Sequence, residues 1–173
     1  MGPYSKPRGL PIAVIDNTLL SRLVHLEVAE LLPYIFKRIL IPPEVKREAY
    51  KAPHRGKRRL RKLIAEMKGY LVDCHEVDEA IKNFLKADLD DGEAAAIAQA
   101  EHTGSVVLLD ERKGFKRAET MQLTAIRTTT ILAMLKEARA ITTVAPYFDK
   151  LAKTGFYLKD EVRRQLLAEA GEL

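Results

Sequence analysis

Two short apolar runs, each closed by an aspartate, constrain this chain more than any other feature. Ile12-Ala-Val-Ile15 leads directly into Asp16, and Val106-Val-Leu-Leu109 leads directly into Asp110. Neither run alternates apolar with polar residues. Each therefore reads as a strand covered on both faces, as in parallel sheets flanked by helices. Further strands are expected at Arg38–Ile41, Tyr70–Val72 and Thr124–Ile126, with helical patterns between them. Leu19, Leu20, Leu23 and Val24 share one face of the first helix, and a second runs from about Val28 to Phe36. Pro42-Pro43 opens another, since proline is tolerated in a first turn. Leu60, Leu63, Ile64 and Met67, spaced i, i+3, i+4, i+7, mark an amphipathic helix. Asp90 to His102 carries the strongest local signal: Asp90 and Glu93 fit a capping box, and Gly104 fits a C′ position. Helices at Lys113–Met121 and Thr130–Ala138 complete an alternating order that predicts an α/β fold around a parallel sheet.

The length of 173 residues suits one domain, 1–173, with an N-terminal extension over 1–10. The tail, 143–173, reads as two helices broken around Gly155, packed on the domain or on a partner subunit. Its apolar stripes, with that of Leu60–Met67, lead to the expectation of a homodimer. No apolar run approaches the ~20 residues that span a bilayer. The start, MGPYSKPRGL, lacks the apolar stretch of a signal peptide, which predicts a cytoplasmic protein without a membrane partner.

Several chemistries lack their parts. Cys74 is the single cysteine, so an internal disulfide and a multi-cysteine zinc site are excluded. Neither G-x-G-x-x-G nor G-x-x-x-x-G-K-[ST] occurs, nor a G-x-S-x-G elbow. The four histidines show no H-x-x-x-H spacing. Charge is informative by its placement. The net value is +5, yet Lys51–Lys62 (KAPHRGKRRLRK) alone holds seven cations and no acid. Five less seven leaves the rest of the chain at −2. A concentrated basic arm commonly marks a polyanion partner, RNA or DNA above all. The candidate contacts are Arg55, Lys57, Arg58, Arg59, Arg61 and Lys62, with Arg112, Lys113, Lys116 and Arg117 as a second set; the alternative is a solvated helix face.

Carboxylates remain as the bearers of chemistry. In an open parallel sheet, ligands bind beyond the carboxyl ends of the strands, where Asp16 and Asp110 both fall. Each could equally cap the helix that follows. Glu93 lies in a first turn and could serve only the capping box. Glu48 borders the face of its helix that should pack on the sheet, an expensive place for an unpartnered charge. Glu44, one turn back, reads more simply as a first-turn acid favoured by the helix dipole. Carboxylates brought together repel and hold their protons more tightly unless a cation lies between them. Oxygen-only ligands favour Mg²⁺ or Mn²⁺. A carboxylate-held metal beside a basic arm suggests phosphodiester hydrolysis by an activated water.

The chain resembles the PIN-domain nucleases, in particular the prokaryotic VapC-toxin-like subfamily. The resemblance rests on Val14-Ile-Asp-Asn-Thr-Leu-Leu20, Ile41-Pro-Pro-Glu-Val-Lys-Arg-Glu48, Leu89-Asp-Asp-Gly-Glu-Ala-Ala-Ala-Ile-Ala98 and Leu108-Leu-Asp-Glu-Arg112, with the tail Thr154-Gly-Phe-Tyr-Leu158. It implies a three-layer α/β/α sandwich with extra C-terminal helices. It implies that Asp16, Glu48, Glu93 and Asp110 are catalytic and bind one or two Mg²⁺ or Mn²⁺ ions, with Asn17 and Thr18 in support and Glu111 as an added candidate ligand. The implied activity is metal-dependent cleavage of RNA, by the toxin of a type II toxin–antitoxin pair with an antitoxin protein as partner. The alternative is a non-catalytic RNA-binding or scaffold protein on the same fold. Two departures stand out: many relatives have aspartate at the position of Glu93, and a hydroxyl residue at that of Leu108.

Overall fold

The computed structural model describes residues 9–51, 55–74 and 77–173, without the side chain of Arg55. The basic-arm assignment of Arg55 and most of the 1–10 extension lie outside the described residues. Five parallel strands form one sheet in the order β3-β2-β1-β4-β5: β1 (Ile12–Ile15), β2 (Arg38–Ile41), β3 (Leu71–Asp73), β4 (Val106–Leu108) and β5 (Ala125–Ile126). The first two match the expected limits residue for residue.

The lack of alternation in β1 has the expected cause. Ala13 and Ile15 point into one apolar core and Val14 into another, and all three are fully buried. On the first face lie α1 (Asn17–His25), α3 (Arg55–Glu66), α7 (Thr128–Glu137) and the tail helices α8 (Ala145–Ala152) and α9 (Asp160–Glu169). On the second lie α4 (Glu79–Leu85), α5 (Asp91–Thr103) and α6 (Arg112–Thr120). The helix opened by Pro42-Pro43, α2 (Pro43–Lys51), packs against both α3 and α5. The result is a three-layer α/β/α sandwich with additional C-terminal helices.

The capping signals hold in α5. Asp90 accepts from the Glu93 amide, the Glu93 side chain reaches back to the Asp90 amide, and Gly104 closes the helix at φ 63° in the left-handed region. The stretch expected as a helix over Val28–Phe36 is instead a 3₁₀ helix at Ala29–Tyr34, carrying Pro33 inside it. Proline cannot donate a backbone bond, and a short 3₁₀ turn tolerates that loss better than an α-helix. The α4 helix has no counterpart in the sequence pattern.

The apolar stripe of α3 lies inside the chain's own core. Leu60, Leu63 and Ile64 are 1–6% exposed, so they do not supply a dimer face. The tail packs inward too: Phe148, Leu151 and Leu167 join the same core. Glu172 accepts from the amides of Val144 and Ala145 at the start of α8 and from Lys136 of α7. No helix among the described residues is long and apolar enough to cross a membrane.

Candidate functional site

The chain runs from β1 outward to β2 and β3, then returns to place β4 on the other side of β1. This reversal is the topological switch point of the sheet, and a crevice opens beyond the carboxyl ends of the two strands that flank it. Asp16 follows β1 there, its amide donating to the Leu108 carbonyl of β4 at 3.2 Å. Asp110 lies two residues beyond β4.

Asp16 is 2% exposed and does cap α1, accepting from the Thr18 amide at 3.0 Å. Capping does not satisfy its electrostatics. Burial, then the charge of Asp90, push its carboxyl from an ordinary 3.8 up to about 7, against the opposing hydrogen bonds of Thr18 and Asn17. Glu48, on α2, is raised as well, by burial and then by Asp90, with Asn17 hydrogen bonding and the charge of Lys57 working the other way. Glu93 is raised by burial and then by Asp90. Three acids on three elements thus lie in one cleft, each made a weaker acid by burial and by like charge.

Two glycines let them approach. A Cβ at Gly92, in the first turn of α5, would stand 3.0 Å from Glu48 Oε1 and 3.4 Å from Asp16 Oδ1. At Gly114, on α6, it would stand 2.8 Å from Glu93 Oε1, closer than a carbon can sit to that oxygen. The two oxygens of Glu93 differ in what they meet. Its Oε2 meets the Asp90 amide, while its Oε1 is buried without a hydrogen-bond partner among the described residues. Asn17 Oδ1 is a second buried oxygen with no partner among them.

Asp110 occupies the matching strand end in a different state. Its side chain is fully enclosed; Oδ1 accepts from the Thr128 amide at 2.9 Å, and Oδ2 from Thr128 Oγ1 at 2.6 Å and Arg22 Nη1 at 2.8 Å. Arg22 lies 4.8 Å from the centre of the Phe156 ring and 3.8 Å from Glu111. Neither Arg22 nor Thr128 stands out in the sequence as a site residue. Their contacts to Asp110 span 88 and 18 positions.

The donor set of the cleft fits a hard divalent cation. It is all oxygen, carries several negative charges, and contains two buried oxygens without donors. Among the described residues, no three His, Cys, Asp or Glu side chains stand close enough together to hold an ion as they are. The carboxylates would have to draw inward around it.

The basic arm divides. Lys57 donates to the Glu48 carbonyl at 2.7 Å and Arg61 to the Ala49 carbonyl at 3.1 Å, so both cap the C-terminal end of α2. Arg59 pairs with Glu27 at 2.6 Å, and Lys62 with Glu66 at 3.6 Å. Arg58 is exposed. On α6, Arg112, Lys113 and Lys116 are exposed, and Lys113 is near enough to Glu93 to oppose its upward shift. Lys113, Lys116 and Arg117 line a hollow of about 350 Å³ with Asp88 and Leu89, the residues that lead into Asp90.

The molecule is thus a parallel α/β sheet with a carboxylate-lined cleft at its switch point. Residues 12–172 match the family model described as DUF3368, a PIN domain, and the chain belongs to the PIN-domain family, whose members are generally nucleases. No curated protein matches it in sequence. Among solved structures it is similar to a PilT N-terminus domain protein from the archaeon Sulfolobus solfataricus, at 16% identity and a TM-score of 0.49, covering 73% of this chain and 92% of that one. It is also similar to VapBC2 of Rickettsia felis, solved bound to a promoter DNA fragment, at 15% identity and a TM-score of 0.48, covering 67% and 98%.

Proposed function

We propose that the protein is an endoribonuclease that uses Mg²⁺ or Mn²⁺, with Asp16, Glu48 and Glu93 as its principal metal-facing residues. The observation that carries this reading is the convergence at the switch point of two buried acids, Asp16 and Glu93, and the half-buried Glu48, each raised in pKa, with two buried oxygens that lack donors among the described residues. A bound divalent ion would supply an activated water and neutralise charge on the scissile phosphate. Asp16, fixed by its cap at a strand end, would orient that ion. Glu48 and Glu93 would hold it from opposite helices, with Asn17 keeping Glu48 in place. Lys113 and Lys116 would bind flanking phosphates and exclude no particular sequence, since phosphate contacts carry none.

The toxin role and an antitoxin partner belong to the same proposal, supported by family membership. Apolar side chains left open for self-association among the described residues include Tyr157 and Val162 of the tail, 83% and 42% exposed, and Phe84 of α4, 66% exposed. The rival reading, RNA binding without turnover, draws on Asp110, whose carboxylate is already occupied by Arg22 and Thr128.

The test is cleavage of a mixed RNA pool by the purified protein in Mn²⁺. Cleavage by the wild type and none by Asp16→Asn is the expected result. RNA bound but left intact by the wild type would establish the rival reading. The same pair, expressed in cells, tests the toxin role: growth should arrest with the wild type alone, and an unaffected culture would sink it.

A further inference from the structure

We propose that Phe84 of α4 is a stacking platform for one unpaired base of the RNA, and that the basic hollow on α6 beside it carries the phosphates of the same strand toward the cleft. This rests on the ribonuclease reading above only for the nature of the strand.

Phe84 is the only exposed large apolar side chain on α4, α5 or α6 among the described residues. The core does not need it: α4 is anchored inward by Leu85 and Ile81, and Phe84 belongs to neither apolar core. A ring two-thirds in water gains the fold little. The ring is nonetheless held in place. Arg117 of α6 lies 5.6 Å from its centre, within cation–π range, and is itself tied by an ion pair to Asp88.

Around the ring the surface is basic rather than apolar. Lys113, Lys116 and Arg117 line the hollow with Asp88, Leu89 and Thr120, three cations against one carboxylate. Lys113 and Lys116 are exposed and form no ion pair among the described residues. The hollow also adjoins the cleft. Lys113 precedes Gly114, against which Glu93 Oε1 packs, and Leu89 precedes Asp90, the cap of α5. A strand lying there runs from the acids at the switch point, past two unpaired cations, to an open aromatic ring.

This combination suits a nucleic acid better than a protein. A stable protein interface takes about 800 Å² a side around an apolar centre, whereas one aromatic ring covers about 200 Å². A single base needs only the one ring, and cations beside it track the backbone. In a duplex the faces of the bases are already stacked on one another, so the subsite takes a base that is unpaired.

The experiment is a fluorescence-anisotropy titration in EDTA, where no strand is cut, with an adenylate decamer and a decamer of the same sugar–phosphate chain without bases. The wild type should bind the adenylate decamer roughly 5- to 100-fold more tightly than Phe84→Ala, the loss of one base stack. Phe84→Leu keeps apolar bulk without a π face and should bind as weakly as Phe84→Ala; Phe84→Tyr should bind as the wild type does. The abasic strand should not distinguish the four proteins. All four should melt alike, since the ring is mostly in water. Equal affinity of the wild type and Phe84→Ala for the adenylate decamer, or an equal loss on the abasic strand, would overturn the subsite, as would a wild type that binds neither strand. Light scattering in the same buffer tests the competing occupant: a wild-type dimer that Phe84→Ala dissociates, with RNA affinity unchanged, would give the ring to a second copy of this chain. The metal-dependent reading is decided separately, by cleavage in Mn²⁺.

Discussion

Glu44 and Glu48 stand one turn apart on α2, yet they live under opposite electrostatic regimes. Glu44 is 8% exposed and meets Lys82 of α4 at 2.9 Å, with Arg47 at 3.6 Å. Burial alone would raise its carboxyl, but the Lys82 hydrogen bond and charge hold it below the ordinary range. Lys82 is raised in turn by hydrogen bonds to Glu79 and Glu44. Glu48 faces Asp90 and Asp91 instead and is raised. Toward β2 and β3 the carboxyl edge of the sheet pairs its buried charge; at the switch point Asp110 has Arg22, but Asp16, Glu48 and Glu93 have no ion pair among the described residues. Unpaired buried charge is costly, and functional sites are where folds tolerate that cost.

Removing one side of the paired region should have the largest effect on stability. Lys82→Met leaves the buried Glu44 with only the more distant Arg47 and should cost about 3 kcal/mol in urea unfolding. A decrease below about 1 kcal/mol would mean the pair is effectively solvated, and the contrast with Glu48 would vanish.

The next effect has the opposite sign. Asp16 keeps its proton to about pH 7 when folded but only to about 3.8 when unfolded. Between those values the native state binds more protons, so the metal-free protein loses stability as pH rises, on the order of 4 kcal/mol from this group. Asp16→Asn should flatten that slope and raise the metal-free melting temperature at pH 8. Glu44, depressed, contributes stability that is present above about pH 4.5 and is lost as pH falls below it. Melting curves from pH 3 to 8 separate the two regions: a wild-type profile that only rises across pH 4–7 and matches Asp16→Asn would contradict the assigned state of Asp16. Mn²⁺ at a hundred times its dissociation constant should add ~2.7 kcal/mol to the wild type and little to Asp16→Asn.

The same division between paired and unpaired charge applies to the cations and gives the smallest expected effect. Lys113→Glu with Lys116→Glu should lower the log–log salt slope of single-stranded RNA binding by roughly 0.7 for each phosphate no longer neutralised. Reversal of Arg59 and Arg61, which hold Glu27 and the end of α2, should lower it less and destabilise the fold instead. Equal changes in slope would return α3 to the RNA-facing surface.

The sequence reveals what depends on near neighbours. The limits of β1 and β2, the cap and stop of α5, and the core positions of α3 follow from runs, spacings and terminal residues a few positions apart. Asp16, Glu48 and Glu93 are legible as candidates because strand ends and first turns are local features. What escapes depends on distance. Asp90 reads as a cap because its neighbourhood with Asp16 and Glu48 is made only by folding. Asp110 looks equivalent to Asp16 because nothing local announces Arg22, 88 positions away. The α4 helix has seven residues with only Ile81 and Leu85 as inward apolar anchors, too short for periodicity to register, and it carries Lys82. How the basic arm divides is equally hidden, because a sequence does not show that Lys57 and Arg61 turn inward to helix carbonyls while Arg58 stays exposed.

The central position of β1 also governs the order in which the molecule can assemble. Its two partners come from Arg38–Ile41 and from Val106–Leu108, so one edge can be covered early and the other only after more than half the described chain is present. Until then β1 presents a bare row of amides and carbonyls on a wholly apolar strand, the kind of edge to which another chain can add. Slow closure over a long loop therefore makes the half-built sheet, rather than the finished protein, the state most exposed to aggregation.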